Sequence, residues 1–85
     1  MSKRKYFFSP ESVERLTDLK TTDPEFDIID SAVARLADTP TSGYRIPLIL
    51  PSLDNSRNLF RFDVGRFYLI YTYTKDELEV VTVLS

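Results

Sequence analysis

Eighty-five residues, 42% of them apolar and 28% charged, bound this chain to one small domain, residues 1–85, with a single modest core. The absence of Cys and His excludes disulfides, thiolate nucleophiles, Cys-ligated zinc, the usual general base near neutral pH and the commonest metal ligand. The formal charge of -2 is unevenly spread: residues 9–38 set eight acids against Arg15, Lys20 and Arg35, a net of -5, and residues 39–66 are net +2. That reads as two solvated faces of unlike sign rather than as a nucleic-acid footprint.

The N-terminus "MSKRKYFFSP" is basic, and its apolar run, Tyr6 to Phe8, is too short for a signal peptide or a membrane span. A cytoplasmic protein without membrane attachment is expected. "KRKYFFS" reads as an extended segment. Ser9 then offers a cap and Pro10 a first helical position, and Val13, Leu16 and Leu19 recur at helical spacing, which predicts a helix from Pro10 to about Lys20. "TTDPEF" repeats the device with Asp23 as cap and Glu25 in the first turn, predicting a second helix from Pro24 to about Ala37. Its apolar face is Phe26, Ile29, Val33 and Leu36. Two helices separated only by "TTD" should form an antiparallel hairpin.

From Tyr44 the period changes to two. "YRIPLILP" carries Pro47 and Pro51, so it belongs to a loop or a sheet edge, with Leu48, Ile49 and Leu50 expected over the core. Phe60, Phe62 and Val64 alternate with Arg61 and Asp63, and Gly65-Arg66 makes a tight turn. The next strand places Phe67, Leu69, Tyr71 and Tyr73 on one face and Tyr68, Ile70, Thr72 and Thr74 on the other. "KDE" turns into a last strand, Leu78 to Leu84. The expected fold class is α+β: an N-terminal strand, a helical hairpin, then a three-stranded antiparallel meander packed on the helices through Val13, Leu16, Leu19, Phe26, Ile29, Val33 and Leu36. An open edge at residues 3–8 or 78–84 would admit strand addition by a partner or a second copy.

This order, with "GYRIP" and "NLFRFDVGRFYLIYTYTKDELEVVTVL", resembles the RelE/ParE superfamily of toxin components of toxin–antitoxin modules. Leu36 and Pro40 match the family's "L…P" element, Gly43 to Pro47 its Gly-basic-x-Pro approach, and Arg61, Gly65, Phe67, Leu69, Ile70 and Tyr71 its central strands. Two departures matter. Tyr68 stands where the family commonly has Arg, and Ser85 stands where it commonly continues with His and a short basic or aromatic tail. The RelE-like branch is associated with ribosome-dependent mRNA cleavage by basic residues on the central strands plus an Arg and an aromatic residue near the C-terminus. Here only Arg61 and Arg66 correspond, and Asp63 lies where the register suggests Lys.

RNA cleavage by a 2′-hydroxyl needs a base, an acid and positive charge at the phosphate, and Asp63 there would repel phosphate. The resemblance therefore implies a ParE-like, non-enzymatic toxin component. It would bind a protein target, DNA gyrase or the ribosome, and be neutralised by a cognate antitoxin, with no cofactor and no direct nucleic-acid contact. The alternatives are a non-toxic interaction or immunity-type binding protein of the same fold, and a degenerate ribosome-dependent mRNA interferase. The candidate partner-binding residues are Arg61, Arg66, Tyr68 and Arg45. Tyr68 is singled out because it faces away from the Phe67–Leu69–Tyr71 side, whereas Tyr71 and Tyr73 read as core cover.

Overall fold

In a computed structural model, which describes residues 4–46 and 58–85, the chain runs β1 (Lys5–Phe8), α1 (Pro10–Asp18), α2 (Asp23–Asp38), a 3-10 turn (Pro40–Ser42), β2 (Tyr44–Ile46), β3 (Leu59–Val64), β4 (Phe67–Tyr73) and β5 (Glu77–Leu84). The fold class is α+β. The expected antiparallel meander is present as β3–β4–β5, but it is the middle of a wider sheet of order β1-β5-β4-β3-β2. Tyr44 to Ile46 add an antiparallel edge strand beside β3, and β1 pairs parallel with β5. The last strand is therefore internal rather than an edge. The Leu48–Leu50 segment lies outside the described residues.

Ser9 caps α1 as its sequence suggests, accepting from the Ser12 N–H at 3.1 Å with Pro10 in the first turn. The second cap is Thr22, not Asp23. Its hydroxyl accepts from the Glu25 N–H while the Glu25 carboxylate accepts from the Thr22 N–H at 3.0 Å, a reciprocal pair that Asp23, one residue too late, is unable to form with Glu25. The expected packing face also needs correction at two positions, since Val13 is 52% and Phe26 40% exposed. On α1 the buried line is Ser12 and Leu16, with Leu19 half-buried; Ser12 tolerates burial because its hydroxyl donates to the Ser9 carbonyl at 2.8 Å. On α2 the core positions are Ile29, Ala32, Val33, Leu36 and Ala37. The first four meet Val64, Phe67, Leu69, Tyr71, Leu78, Val80 and Val83 from the sheet.

A register shift between Ile70 and Tyr71 leaves Val81 as an extra residue in β5, so the core-facing positions change from Leu78 and Val80 to Val83. Val81 packs with Leu59 and Ile70 on the far face, alongside Ile46 and Leu84. Because β1 pairs only with residues 77–80, the C-terminal half of β5 would present a free edge. Helix α1 covers it: the Ser9 N–H donates to the Val80 carbonyl at 2.9 Å, the Ser9 hydroxyl to Val81 at 2.6 Å and Arg15 Nε to Val83 at 3.2 Å.

One ion pair ties the hairpin turn to the helices. Gly65, with φ 56°, occupies the first position of the two-residue turn between β3 and β4, a conformation that favours Gly. The next residue, Arg66, reaches Glu25 through Nε–Oε2 at 2.7 Å and Nη2–Oε1 at 3.1 Å, and donates to the Leu19 carbonyl at 2.9 Å. The Arg66 hydrogen bond, seconded by the Thr22 N–H, holds the Glu25 carboxyl down at about 2. A carboxylate whose folded pKa is depressed contributes stability above its unfolded pKa and loses it as the pH falls through the folded value. Glu25→Gln retains the capping box but not the charge, so the unfolding midpoint of the native protein should exceed that of the variant at neutral pH. The gap should shrink below about pH 4.5 and close near pH 2. Urea titrations across that range test this; a gap independent of pH would show that the ion pair is not its source.

Candidate functional site

Strand alternation places Tyr44, Arg61, Asp63 and Tyr68 on the sheet face opposite the helices. Tyr44 pairs with Arg61 across β2 and β3, and Asp63 with Tyr68 across β3 and β4. The Arg61 guanidinium lies 3.9 Å from the centroid of the Tyr68 ring and 5.9 Å from that of Tyr44. It donates through Nε to Asp63 Oδ1 at 2.7 Å and through Nη2 to Oδ2 at 3.4 Å. Hydrogen bonding to Asp63 raises the Arg61 pKa further above its ordinary value, so the group stays cationic at any ordinary pH. The result is a stack in which the guanidinium lies over the Tyr68 ring, with the Tyr44 ring farther away on β2, and its charge is balanced by Asp63. Tyr44 is 53% exposed, and the Asp63 side chain 52%.

The turn before β2 sets the position of Tyr44. The Tyr71 hydroxyl, on the buried face, donates to the Pro40 carbonyl, and burial pushes its pKa up to about 12. Gly43 passes directly over that hydroxyl. A Cβ at this position would collide with the Tyr71 hydroxyl and would sit 2.6 Å from the Arg61 carbonyl oxygen. A bare backbone there is what lets β2 approach β3 and bring Tyr44 against Arg61.

The four residues that the sequence singles out do not form one patch. Arg61 and Tyr68 do meet, in the stack just described. Arg66 turns away to Glu25 and Leu19 on the helical side and covers the Phe67 ring at 4.4 Å, because a turn residue is not held to the alternation of the strands. Arg45 is exposed on β2, but it alternates with Tyr44 and so belongs to the opposite face. Two members of the stack escaped the sequence reading. Tyr44 opens a Pro-interrupted segment with no strand pattern to give its face, and the alternation that puts Asp63 on the face of Arg61 does not by itself pair the two charges.

At the β1 end of the sheet a cleft of about 470 Å³ is lined by residues of both faces, among them Phe7, Thr72 and Glu79 together with Phe60 and Tyr73, with Phe7 44% exposed. Among the described residues no group of three or more carboxylates is placed to hold a metal ion, and no helix is long and apolar enough to cross a membrane. The stack has the chemistry of a contact surface: rigid aromatic area with few rotatable bonds, flanked by an ion pair with remaining acceptor capacity. No family model matches the chain, and no curated protein matches it.

Proposed function

We propose that the protein acts by binding, as a ParE-like toxin-type component of the RelE/ParE fold that engages a cytoplasmic protein target and is neutralised by an antitoxin-like partner. The observation that carries this reading is the Tyr44–Arg61–Tyr68 stack, exposed on the open sheet face beside the edge strand β2. Tyr and Arg held in one conformation lose little entropy on contact, which is why such residues anchor protein interfaces. Among the described residues β2 ends the sheet, which adds a main-chain edge to which an extended segment can pair. The internal Arg61–Asp63 pair favours a protein partner over phosphate, since an approaching phosphate would have to displace or face the carboxylate.

Induced expression with and without the product of the neighbouring gene tests the biological half of the proposal: growth arrest relieved by the neighbour is the expected result. Absence of arrest, with binding retained, would instead identify a non-toxic interaction or immunity-type protein, and codon-dependent cleavage on ribosomes would identify an interferase. Binding kinetics test the surface. Tyr68→Ala and Tyr44→Ala should each raise the dissociation rate roughly fivefold or more, as expected for interface anchors, with little change in association. Arg66→Ala should leave both rates unchanged, because Arg66 belongs to the helical side. If the Tyr variants bind like the native protein while Arg66→Ala does not, the interface lies at the hairpin turn.

A further inference from the structure

At the other end of the sheet, strand β1 carries a patterned edge. The Lys5 N–H donates to the Asp76 carbonyl at 3.0 Å and the Ser9 N–H to the Val80 carbonyl at 2.9 Å. In a parallel ladder one residue sends both its N–H and its C=O to the neighbouring strand, and the next sends both the other way. Lys5, Phe7 and Ser9 therefore face β5, and the main-chain groups of Tyr6 and Phe8 point out of the sheet. Among the described residues β1 pairs with no strand but β5, so these outward groups have no ladder partner. The side chains divide differently. Tyr6 and Phe8 are held on the helical side, Tyr6 through its hydroxyl to Asp30 at 3.2 Å and Phe8 beside the Phe26 ring at 5.7 Å. Phe7, between them, points to the far face and is exposed.

This pattern is symmetric about Phe7, and so it is its own complement. In an antiparallel pair, two residues whose main-chain groups face each other exchange both hydrogen bonds, and the residues next to them exchange none and bring their side chains close. Laid antiparallel on itself with Phe7 opposite Phe7, β1 sets Tyr6 opposite Phe8 on both sides of the axis and satisfies every outward group of the strand. Other registers do less. Centring on Tyr6 pairs only that residue within the strand and sets Lys5 against Phe7; centring on Phe8 sets Tyr6 against Pro10, which has no N–H. We propose that β1 is a self-pairing edge, through which two copies of this chain join antiparallel about a two-fold axis at Phe7 and merge their five-stranded sheets into one. The two Phe7 rings then cover each other on the far face. Lys5 of each copy comes opposite Ser9 of the other, near the first turn of α1 with Glu11, so the basic ends of the strands lie apart and each meets the acidic start of a helix. The axis stands across the sheet, which puts the helices of both copies on one side and both Tyr44–Arg61–Tyr68 stacks on the other, with β2 at the outer ends. The pairing is therefore independent of what the stack binds, and it presents that surface twice.

A seam this short makes a weak dimer, expected to populate between about 10 μM and 1 mM protein in sedimentation equilibrium of the full chain. Amide exchange locates it. In a monomer the Tyr6 and Phe8 N–H groups face solvent and exchange quickly, whereas those of Phe7 and Ser9 are held by β5. Raising the concentration across that range should slow exchange at Tyr6 and Phe8 roughly tenfold or more, and far more than at Phe7 and Ser9. Phe7→Lys sets two like charges at the axis and should raise the dimer dissociation constant roughly tenfold or more. The substituted side chain is exposed, and an unfolding midpoint in dilute solution equal to the native one shows that the variant is folded; if the midpoint falls, the exchange of the native protein decides alone. The proposal is overturned by a monomer at about 1 mM, below which a seam of this kind should form. It is equally overturned by a dimer in which Tyr6 and Phe8 exchange at one rate at every concentration, by a dimer that folded Phe7→Lys leaves intact, or by new protection at Tyr44 to Ile46, which would put the seam at β2.

Discussion

Ile29→Ala should reduce the unfolding free energy by about 2–5 kcal/mol, the range for removing a fully enclosed aliphatic side chain and leaving a cavity. Ile29 has no exposed surface and sits in the cluster that joins α2 to β4 and β5. For a domain of this length total stability is on the order of 5–10 kcal/mol, so this one change removes a large share of it. Val13→Ala is the matched control. It deletes an aliphatic group of similar kind from α1, but Val13 is 52% exposed, and the expected change is within about 0.5 kcal/mol. Urea unfolding of both variants, with the slope compared to the native protein, decides the matter. Equal losses would mean that the helical phase described above is wrong.

Gly43→Ala should destabilise by about 1–3 kcal/mol or more, because the added methyl has nowhere to go. The backbone at Gly43 is extended, with φ -83°, so any residue can adopt it, and the penalty comes from crowding alone. Two obstacles are involved. The Tyr71 hydroxyl is the end of a side chain; the Arg61 carbonyl oxygen, 2.6 Å from the added Cβ, is backbone held in the β2–β3 ladder. Removing the first by Tyr71→Phe leaves the buried Pro40 carbonyl without its donor, which itself costs about 1–3 kcal/mol. In the double variant the two losses should therefore be less than additive, yet rescue should be incomplete because the Arg61 carbonyl remains. Full additivity in a double-mutant cycle would show that the Tyr71 hydroxyl is not what crowds Gly43.

Local chemistry was the part of this fold that could be read from sequence. Ser9-Pro10 announces α1, Gly65 marks the β3–β4 turn, and the alternation from Phe60 to Tyr73 assigns each side chain of β3 and β4 to its face. Errors arose where two local readings compete. Thr22 and Asp23 are both good caps, and only the three-residue distance to Glu25 separates them. Val13 outranks Ser12 on apolarity alone, and a hydroxyl looks misplaced in a core until its acceptor, the Ser9 carbonyl, is known. What no local pattern carries is partnership at long range. Nothing near Tyr6 marks it as the neighbour of Leu78, and nothing near Arg66 points across the molecule to Glu25. The candidate site divides the same way: Arg61 and Tyr68 were legible from strand alternation, whereas Tyr44 depends on Gly43 passing over Tyr71.

The internal position of β5 bears on how the polypeptide is made. Strand β1 and the capping Ser9 of α1 find their partners 72 residues further along, at Leu78 and Val81, and β4 is completed on its other side by the same strand. During synthesis, residues 5–73 must wait with β1 unpaired, the N-terminal cap without its acceptor and the apolar face of α2 only partly covered. Only when residues 77–84 leave the ribosome can β1 and β4 both find their partner and the sheet close. Such an order favours late, all-or-none folding and slow long-range pairing. It also gives a chaperone that recognises the nascent chain an interval in which the segments before β5 are within reach.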